Sequence, residues 1–84
     1  MTAIEQLRKR QEILETINQN PDWPFYKVAR YIRTELHLTL NEMAKITKIA
    51  PQTLQKMEQP NSNPTLESMM KLLSTFGLKI VIRY

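Results

Sequence analysis

The segment Thr39–Glu58, TLNEMAKITKIAPQTLQKME, carries the start signals of two short helices. Thr39 can cap the first of them, because its hydroxyl can accept a hydrogen bond from the backbone of Glu42 while the Glu42 side chain reaches back to the Thr39 amide. This capping box predicts a helix over Leu40–Thr47. Pro51 predicts the start of the second helix, because proline suits the first position of a helix and disrupts later ones.

The second helix is predicted to turn a polar flank outward. Between Gln52 and Glu58 the only apolar residues are Leu54 and Met57, at a spacing of i and i+3. The remaining outward positions carry Gln52, Thr53, Gln55 and Lys56. Glutamine can pair bidentately with adenine in the DNA major groove, and lysine reaches guanine acceptors, so this flank could read base edges. The alternative is a solvated helix face without a partner.

Positive charge is concentrated on the same segment. Between Met43 and Met57 the only charged residues are Lys45, Lys48 and Lys56. The 84-residue chain carries a formal net charge of +4, which favours an anionic partner, although many soluble proteins are mildly basic. The position of the lysines is therefore more informative than the total charge.

Three further helices are predicted from the spacing of apolar residues, over Thr2–Asn18, Pro24–Leu36 and Thr65–Phe76. Prolines at positions 21 and 24 separate the first two, because proline breaks helical hydrogen bonding. The last helix is expected to bury one face, composed of Leu66, Met69, Met70, Leu73 and Phe76. Methionine-rich faces also serve as adaptable binding surfaces, but the helical spacing here favours core packing.

The N-terminal helix has a narrow apolar stripe, interrupted by Gln11 and composed of Ile4, Leu7, Leu14 and Ile17. Such a helix can pack on its own domain or on a twin chain, and recognition of another protein is the alternative. We therefore predict an accessory helix over residues 1–20 and a DNA-binding domain with a C-terminal dimerisation strand over residues 21–84.

Residues 79–84 predict a β-strand, because they are rich in β-branched side chains and because successive side chains would alternate between two faces of an extended chain. The sequence offers no second strand to pair with it, so the fold class predicted is all-α with one C-terminal strand. A chain of this length buries only about 60% of its unfolded surface. We therefore expect dimerisation to support its stability.

Several classes of function are disfavoured by residues that the sequence lacks. Cysteine is absent and His37 is the one histidine, so no metal site is expected. We find no nucleophile–base pair and no glycine-rich phosphate loop, so we expect no catalytic residue, no enzymatic activity and no cofactor. No apolar run approaches the roughly 20 residues of a membrane span, and the N-terminus lacks the apolar core of a signal peptide. A cytoplasmic location is therefore expected.

An ordered set of residues runs from the second predicted helix into the last one: Ile32-Arg33, Leu38-Thr39, Glu42-Met43-Ala44-Lys45, Ile49, Gln52-Thr53-Leu54, Met57-Glu58 and Pro64-Thr65-Leu66. Together these residues resemble the Cro/repressor-type (Xre-like) helix-turn-helix family. The resemblance covers about residues 28–78 and implies a five-helix lambda-repressor-like domain. The continuation EQPNSNPTL at 58–66 and the terminal strand most resemble the HipB-like antitoxins of toxin–antitoxin operons.

The resemblance implies that the second helix of the motif enters the major groove of double-stranded DNA. The first helix would then direct its positive N-terminus at phosphates. The DNA-contacting set is Thr39, Lys48, Ala50, Pro51, Gln52, Thr53, Gln55 and Lys56. Ala50 and Pro51 replace hydrogen-bonding residues of the family, which leaves apolar contact with thymine methyl groups at these positions.

The resemblance also assigns structural roles. Arg33 and Glu58 occupy positions that form a partly buried ion pair in the family, and two independently solvated charges are the alternative. The terminal strand of HipB-like proteins pairs with its copy in a homodimer. This implies dimerisation through Leu78, Ile80, Val81, Ile82 and Arg83.

Three positions depart from the family pattern. Lys48 stands where the turn between the motif helices usually has glycine, so a left-handed conformation costing about 1 kcal/mol is expected there. His37 also stands where glycine is common. Leu40 replaces a frequent glutamine that touches phosphate, so one backbone contact is expected to be missing.

These inferences predict a transcriptional repressor that binds a palindromic operator as a homodimer and acts as the autorepressing antitoxin of a HipBA-like operon. One alternative is a subunit that mainly holds a HipA-like kinase toxin. The other is a stand-alone repressor without a toxin.

Overall fold

The computed structural model describes residues 2–81, and within them the chain is all-helical. Its helices, in chain order, are α1 (Ala3–Gln19), α2 (Phe25–Glu35), α3 (Leu40–Thr47), α4 (Pro51–Met57) and α5 (Leu66–Thr75). The predicted order of five helices is confirmed, and each boundary lies within one residue of its predicted position. None of these helices is long and apolar enough to cross a lipid bilayer.

Threonine side chains cap the starts of α1 and α5. Thr2 Oγ1 accepts a hydrogen bond from the Glu5 amide at 3.2 Å, and Thr65 Oγ1 accepts one from the Ser68 amide at 3.1 Å. Both amides lie in the first turn, where backbone donors have no partner inside the helix. These local bonds fix where each helix begins.

One apolar core receives side chains from all five helices. The largest fully buried side chains are Ile32, Met43, Leu54, Met57, Leu72 and Thr47. The Thr47 hydroxyl donates to the Met43 carbonyl at 2.8 Å and accepts from the Ile49 amide at 3.3 Å. This buried hydroxyl therefore has its hydrogen bonds satisfied, and it joins the end of α3 to the turn that follows.

α1 packs on α2 and reaches the C-terminal end of α5. Ile13 is 3% exposed within the common core. The Arg10 guanidinium donates to the Thr75 carbonyl at 3.2 Å and lies over the Phe76 ring, 5.2 Å from its centroid. α1 thus contributes to the same core as the other helices, and the division of the chain after residue 20 stays a prediction.

The N-terminal half of the apolar stripe predicted for α1 does not pack on the core within residues 2–81. Ile4 and Leu7 are 71% and 64% exposed, whereas Ile13, which lies outside the predicted stripe, is buried. α1 docks through the flank that carries Ile13 and Ile17. Ile4 lies nine residues before Ile13, which is half a turn away on a helix of 3.6 residues per turn. It therefore points to the opposite side of α1.

The face predicted for α5 needs a similar correction. Leu66 and Met70 are 58% and 53% exposed, whereas Leu72 is 1% exposed. Apolar residues occupy two neighbouring flanks of α5, and the core takes the flank with Leu72, Leu73 and Phe76. The flank with Leu66 and Met70 is left uncovered within residues 2–81.

The part of the C-terminus that the structure describes does not form a strand. Gly77 ends α5 with φ of 78°, a conformation that glycine adopts without steric cost. Residues 78–81 are irregular, and Ile82, Arg83 and Tyr84 lie outside the described residues. Pairing of this segment with a second copy stays a prediction.

Candidate nucleic-acid interface

α4 has one buried flank and one exposed polar flank. Leu54 and Met57 are each 1% exposed, so the two apolar residues of this helix fix it on the core. The exposed side chains are those of Gln52, Thr53, Gln55 and Lys56. The amide and ammonium groups on this flank therefore face solvent, as reading of a DNA groove requires.

A left-handed residue shapes the turn between α3 and α4. Lys48 has φ of 63° and ψ of 29°, and its amide donates to the Ala44 carbonyl at 2.9 Å. Ile49 is then buried, and the Ala50 carbonyl accepts a hydrogen bond from the Leu54 amide at 3.0 Å. The chain thus makes the sharp turn without glycine, at the steric cost of a lysine in the left-handed region.

A basic cleft lies beside the start of α4. It is an open depression of about 550 Å³, and its lining includes the exposed Lys45 and Lys48 together with Asn41. Of the described residues that line it, none is acidic. The cleft therefore suits an anion such as a phosphate. Ala50 and Pro51 line the α4 side and present mainly apolar atoms.

The capping box holds the N-terminus of α3. Thr39 Oγ1 accepts from the Glu42 amide at 3.1 Å, and Glu42 Oε1 accepts from the Thr39 amide at 3.0 Å. The backbone hydrogen bond from Thr39 is the main cause that lowers the pKa of Glu42 below its ordinary value of 4.5. The Thr39 hydroxyl can still donate its own proton to a phosphate. Leu40 packs against the core instead.

Arg33 and Glu58 form a bidentate ion pair that braces α4. Arg33 Nε donates to Glu58 Oε2 at 2.7 Å, and Arg33 Nη2 donates to Glu58 Oε1 at 2.9 Å. The two side chains are 21% and 10% exposed, and the hydrogen bond to Glu58 raises the pKa of Arg33. Arg33 Nη1 also donates to the Leu38 carbonyl at 3.0 Å. One guanidinium thus joins α2, the α2–α3 connection and the C-terminal end of α4.

A second, polar groove adjoins α4 on the side of the loop that leads to α5. It has a volume of about 470 Å³, and its lining includes Thr53 and Lys56 of α4 with Gln59, Asn61 and Asn63 of the loop. In the sequence these three residues stand out only as part of the family-like stretch at 58–66. A run of amide side chains directly after a DNA-reading helix is the signal that could have located the groove.

Comparison with protein-family models matches residues 30–82 to the family described as helix-turn-helix. The protein belongs to the Cro/repressor-type helix-turn-helix family. Domains of this family are DNA-binding regulators, and α3 and α4 supply the two helices of the motif here. The match begins within α2, so α1 lies outside it. Comparisons with curated proteins and with solved structures gave no match.

We expect Lys48→Gly to raise the free energy of unfolding by about 0.5 kcal/mol. The change relieves about 1 kcal/mol of left-handed strain in the folded protein, which is more than the free energy lost because glycine is more flexible in the unfolded chain. Lys45→Gly is the matched control. It removes the same side chain from the helical part of α3 and should lower the free energy of unfolding by about 1 kcal/mol. Urea unfolding of both variants measures the difference, and equal destabilisation by the two changes would contradict the strained turn.

We expect Arg33→Met to lower the free energy of unfolding by about 3 kcal/mol, because it leaves the Glu58 carboxylate mostly buried without its partner. Lys9→Met is the control, since Lys9 Nζ lies 3.2 Å from Glu35 Oε1 in a more exposed pair, with side chains 31% and 38% exposed. Breaking that pair should change stability by less than about 1 kcal/mol. Similar losses in denaturant unfolding would show that the Arg33–Glu58 pair has no bracing role.

Proposed function

We propose that this protein is a transcriptional repressor that inserts α4 into the major groove of a specific double-stranded operator. The observation that carries the proposal is the solvent-facing flank with Gln52, Gln55 and Lys56, on a helix whose opposite flank is locked in the core. Amide and ammonium groups match the hydrogen-bonding pattern of base edges. A flank of this composition on a firmly anchored helix supports sequence-specific reading.

The contacts divide into two classes in this proposal. Gln52, Thr53, Gln55 and Lys56 contact base edges, while Ala50 and Pro51 meet thymine methyl groups. Thr39, Lys45 and Lys48 contact phosphates beside the basic cleft, which positions the helix without reading sequence. The Arg33–Glu58 pair acts on DNA only indirectly, by fixing the angle at which α4 leaves the core.

The operator is expected to be palindromic and to be bound by a homodimer. A twofold dimer presents two copies of α4 to half-sites about 10 base pairs apart or a multiple of that spacing. Each half-site receives few polar anchors, because Ala50, Pro51 and Leu40 carry no side-chain hydrogen-bonding group. Two linked half-sites compensate for modest affinity at each one.

Within this proposal the repressor is the antitoxin of a HipBA-like operon, where it controls its own promoter and binds a HipA-like kinase toxin. The HipB-like motif at residues 58–66 supports this. The exposed Ile4 and Leu7 on α1, outside the family match, offer a surface for such a protein partner. A stand-alone repressor is the alternative if no toxin partner is bound.

Replacing Gln52 and Lys56 together by alanine should abolish operator selectivity. Each lost base contact should reduce the preference for operator over unrelated duplex by about 5- to 150-fold, since such contacts contribute about 1–3 kcal/mol of discrimination. Duplexes selected by the wild-type protein from a randomised pool serve as the operator, and gel retardation at several salt concentrations measures binding. Wild-type affinity should fall steeply with salt, with a log–log slope of about −0.9 for each neutralised phosphate.

The matched control is Arg8→Ala with Gln11→Ala, which removes one cation and one amide from the exposed surface of α1. This pair should leave operator selectivity unchanged. Unaltered retardation by the Gln52/Lys56 variant, or a flat salt response of the wild-type protein, would refute groove reading by α4.

The toxin proposal has a separate test. Ile4→Glu with Leu7→Glu should abolish copurification with a coexpressed HipA-like kinase, because charge replaces apolar contact on α1. Ile46→Glu is the control, since Ile46 is also exposed, at 46%, but lies on α3. Retention of the kinase by the Ile4/Leu7 variant would remove α1 from that role. Deletion of residues 1–20 would be less informative, because it also removes Ile13 from the core.

A further inference from the structure

A slot with mainly apolar walls lies between α1, the end of α2 and α3. Its outer part is an open depression of about 120 Å³. Four apolar side chains and two polar side chains of α1 line this part: Leu36, Leu38, Ile46, Phe76, Gln6 and Arg10. A narrow void of about 10 Å³ adjoins it, since Arg10, Leu36 and Phe76 line both. We call the depression and the void together the α1 slot.

The cation of the α1 slot, Arg10, has no carboxylate partner within residues 2–81. Its Nη2 donates to the Thr75 carbonyl at 3.2 Å, and its guanidinium lies 5.2 Å from the centroid of the Phe76 ring. The positions one turn away on α1 carry one glutamine, two leucines and one isoleucine, so this helix supplies no acid to it. A guanidinium has five N–H donors. Arg10 therefore keeps donors for an anion that enters the slot.

The neighbouring cation of α1 shows the contrast. Lys9 Nζ lies 3.2 Å from Glu35 Oε1 and 3.7 Å from Glu12 Oε2, so it has two carboxylate partners. Arg10 is partly buried and faces apolar walls instead. A charge withdrawn from water is favoured when an opposite charge accompanies it. The slot thus lacks an anion that its cation would favour.

The size and the charge of the slot define the ligand that fits. An apolar cavity of about 150 Å³ holds one benzene ring, so the outer part is about the size of one aromatic ring or a short alkyl chain. None of the described residues that line either part is acidic. A carboxylate would form charge-assisted hydrogen bonds with Arg10, and the amide of Gln6 can donate to the same group.

We propose that the α1 slot is an effector site for a small carboxylate that carries one aromatic ring or a short alkyl chain. The apolar part of this ligand lies against Leu38, Ile46 and Phe76, and its carboxylate binds Arg10. The effector role rests on the proposed function, because it acts on operator binding, whereas the binding site does not depend on it. α1 lies outside residues 30–82 that match the family model, so the site uses a helix added to the DNA-binding motif.

The α1 slot borders the connection that orients α3. Leu36 and Leu38 flank His37, which has φ of 56°, and the Leu38 carbonyl accepts a hydrogen bond from Arg33 Nη1 at 3.0 Å. Ile46 belongs to α3 itself. A ligand in the slot therefore contacts both the start of this connection and the first helix of the DNA-binding motif.

Binding in the slot is expected to weaken operator binding. A ring withdrawn from water needs slightly more space than the outer part offers, and the adjoining void is only about 10 Å³. The ligand must therefore move α1 and α3 apart, which shifts α3 relative to the groove-reading flank of α4. Because coupling between two binding sites is reciprocal, DNA should weaken binding of the ligand by the same factor.

Sodium benzoate and methyl-labelled protein test the binding site. Benzoate should shift the NMR signals of the Leu38 and Ile46 methyl groups, and the methyl groups of Ile4 and Val81, which are 71% and 67% exposed, serve as internal controls. Benzyl alcohol has the ring without the charge and should bind about tenfold more weakly. Acetate has the charge without the ring and should give no shift at the same concentration. Equal binding of benzoate and benzyl alcohol, or equal shifts at Ile4 and Val81, would overturn the proposal.

Arg10→Met should lower the affinity for benzoate to that for benzyl alcohol, because it removes the cation and keeps an apolar stem. Arg8→Met is the matched control, since it removes an exposed cation of α1 that does not line the slot. Far-ultraviolet circular dichroism verifies each fold. If Arg10→Met does not fold, Ile46→Glu provides the second test, because Ile46 is 46% exposed and a carboxylate there should repel benzoate. Wild-type affinity for benzoate in either variant would contradict the assigned site.

Gel retardation on the operator duplex tests the effector role. Saturating benzoate should weaken operator binding about fivefold or more, with acetate at the same concentration as the control for ionic strength. Benzoate that binds in the slot and leaves operator affinity unchanged or tighter would overturn the effector role. Failure of the proposed function is distinguishable, because the Gln52/Lys56 variant should lose operator selectivity and still bind benzoate with wild-type affinity.

Discussion

The burial of Leu54 and Met57 is the contact on which the arrangement of the site depends. A seven-residue helix is too short to be stable in water by itself, so α4 exists because its two apolar side chains are enclosed by the core. That anchoring also decides which way the helix faces. Once Leu54 and Met57 point inward, the polar residues at positions 52, 53, 55 and 56 must point outward. The chemistry of the exposed flank is thus a consequence of two buried side chains.

Two local features that add little or no stability keep α3 and α4 at a fixed angle around Leu54 and Met57. Lys48 adopts a left-handed conformation so that α3 can end sharply before α4. The Arg33–Glu58 pair is largely withdrawn from water, and a charge pair in that environment adds little net stability compared with an apolar pair. Its geometric effect is more specific, because two parallel hydrogen bonds allow few orientations between α2 and the end of α4. Rigid placement matters for a helix that must match base edges.

Helix boundaries could be predicted from the sequence because they depend on neighbours along the chain. The capping box of Thr39 and Glu42 and the proline at position 51 act within one turn, so their signals are readable without a structure. Which flank of a helix is buried depends on distant partners, and this is where prediction was wrong. α1 carries apolar residues on more than one flank and docks through Ile13 instead of Ile4, while α5 docks through Leu72 instead of Leu66. Because α4 has only two apolar residues, only one of its flanks could be buried, and its exposed polar flank could be predicted. The run of amide side chains that includes Asn61 and Asn63 could have indicated a polar site beside α4, but the shape of the groove could not be predicted, because it forms only when the loop folds against α4.

The contact between Arg10 and the end of α5 has a consequence for how the chain folds. It joins groups 65 positions apart in sequence, whereas α3 and α4 meet across a turn of three residues. Contacts between distant parts of a chain require closure of a long loop and therefore form more slowly than local ones. The pair α3–α4 can thus assemble early, as can α1 on the neighbouring α2, while the Arg10 contact must wait for the end of α5. During synthesis α1 therefore completes its docking in two stages, first on α2 and then, once Thr75 and Phe76 have been made, through Arg10 at the end of α5.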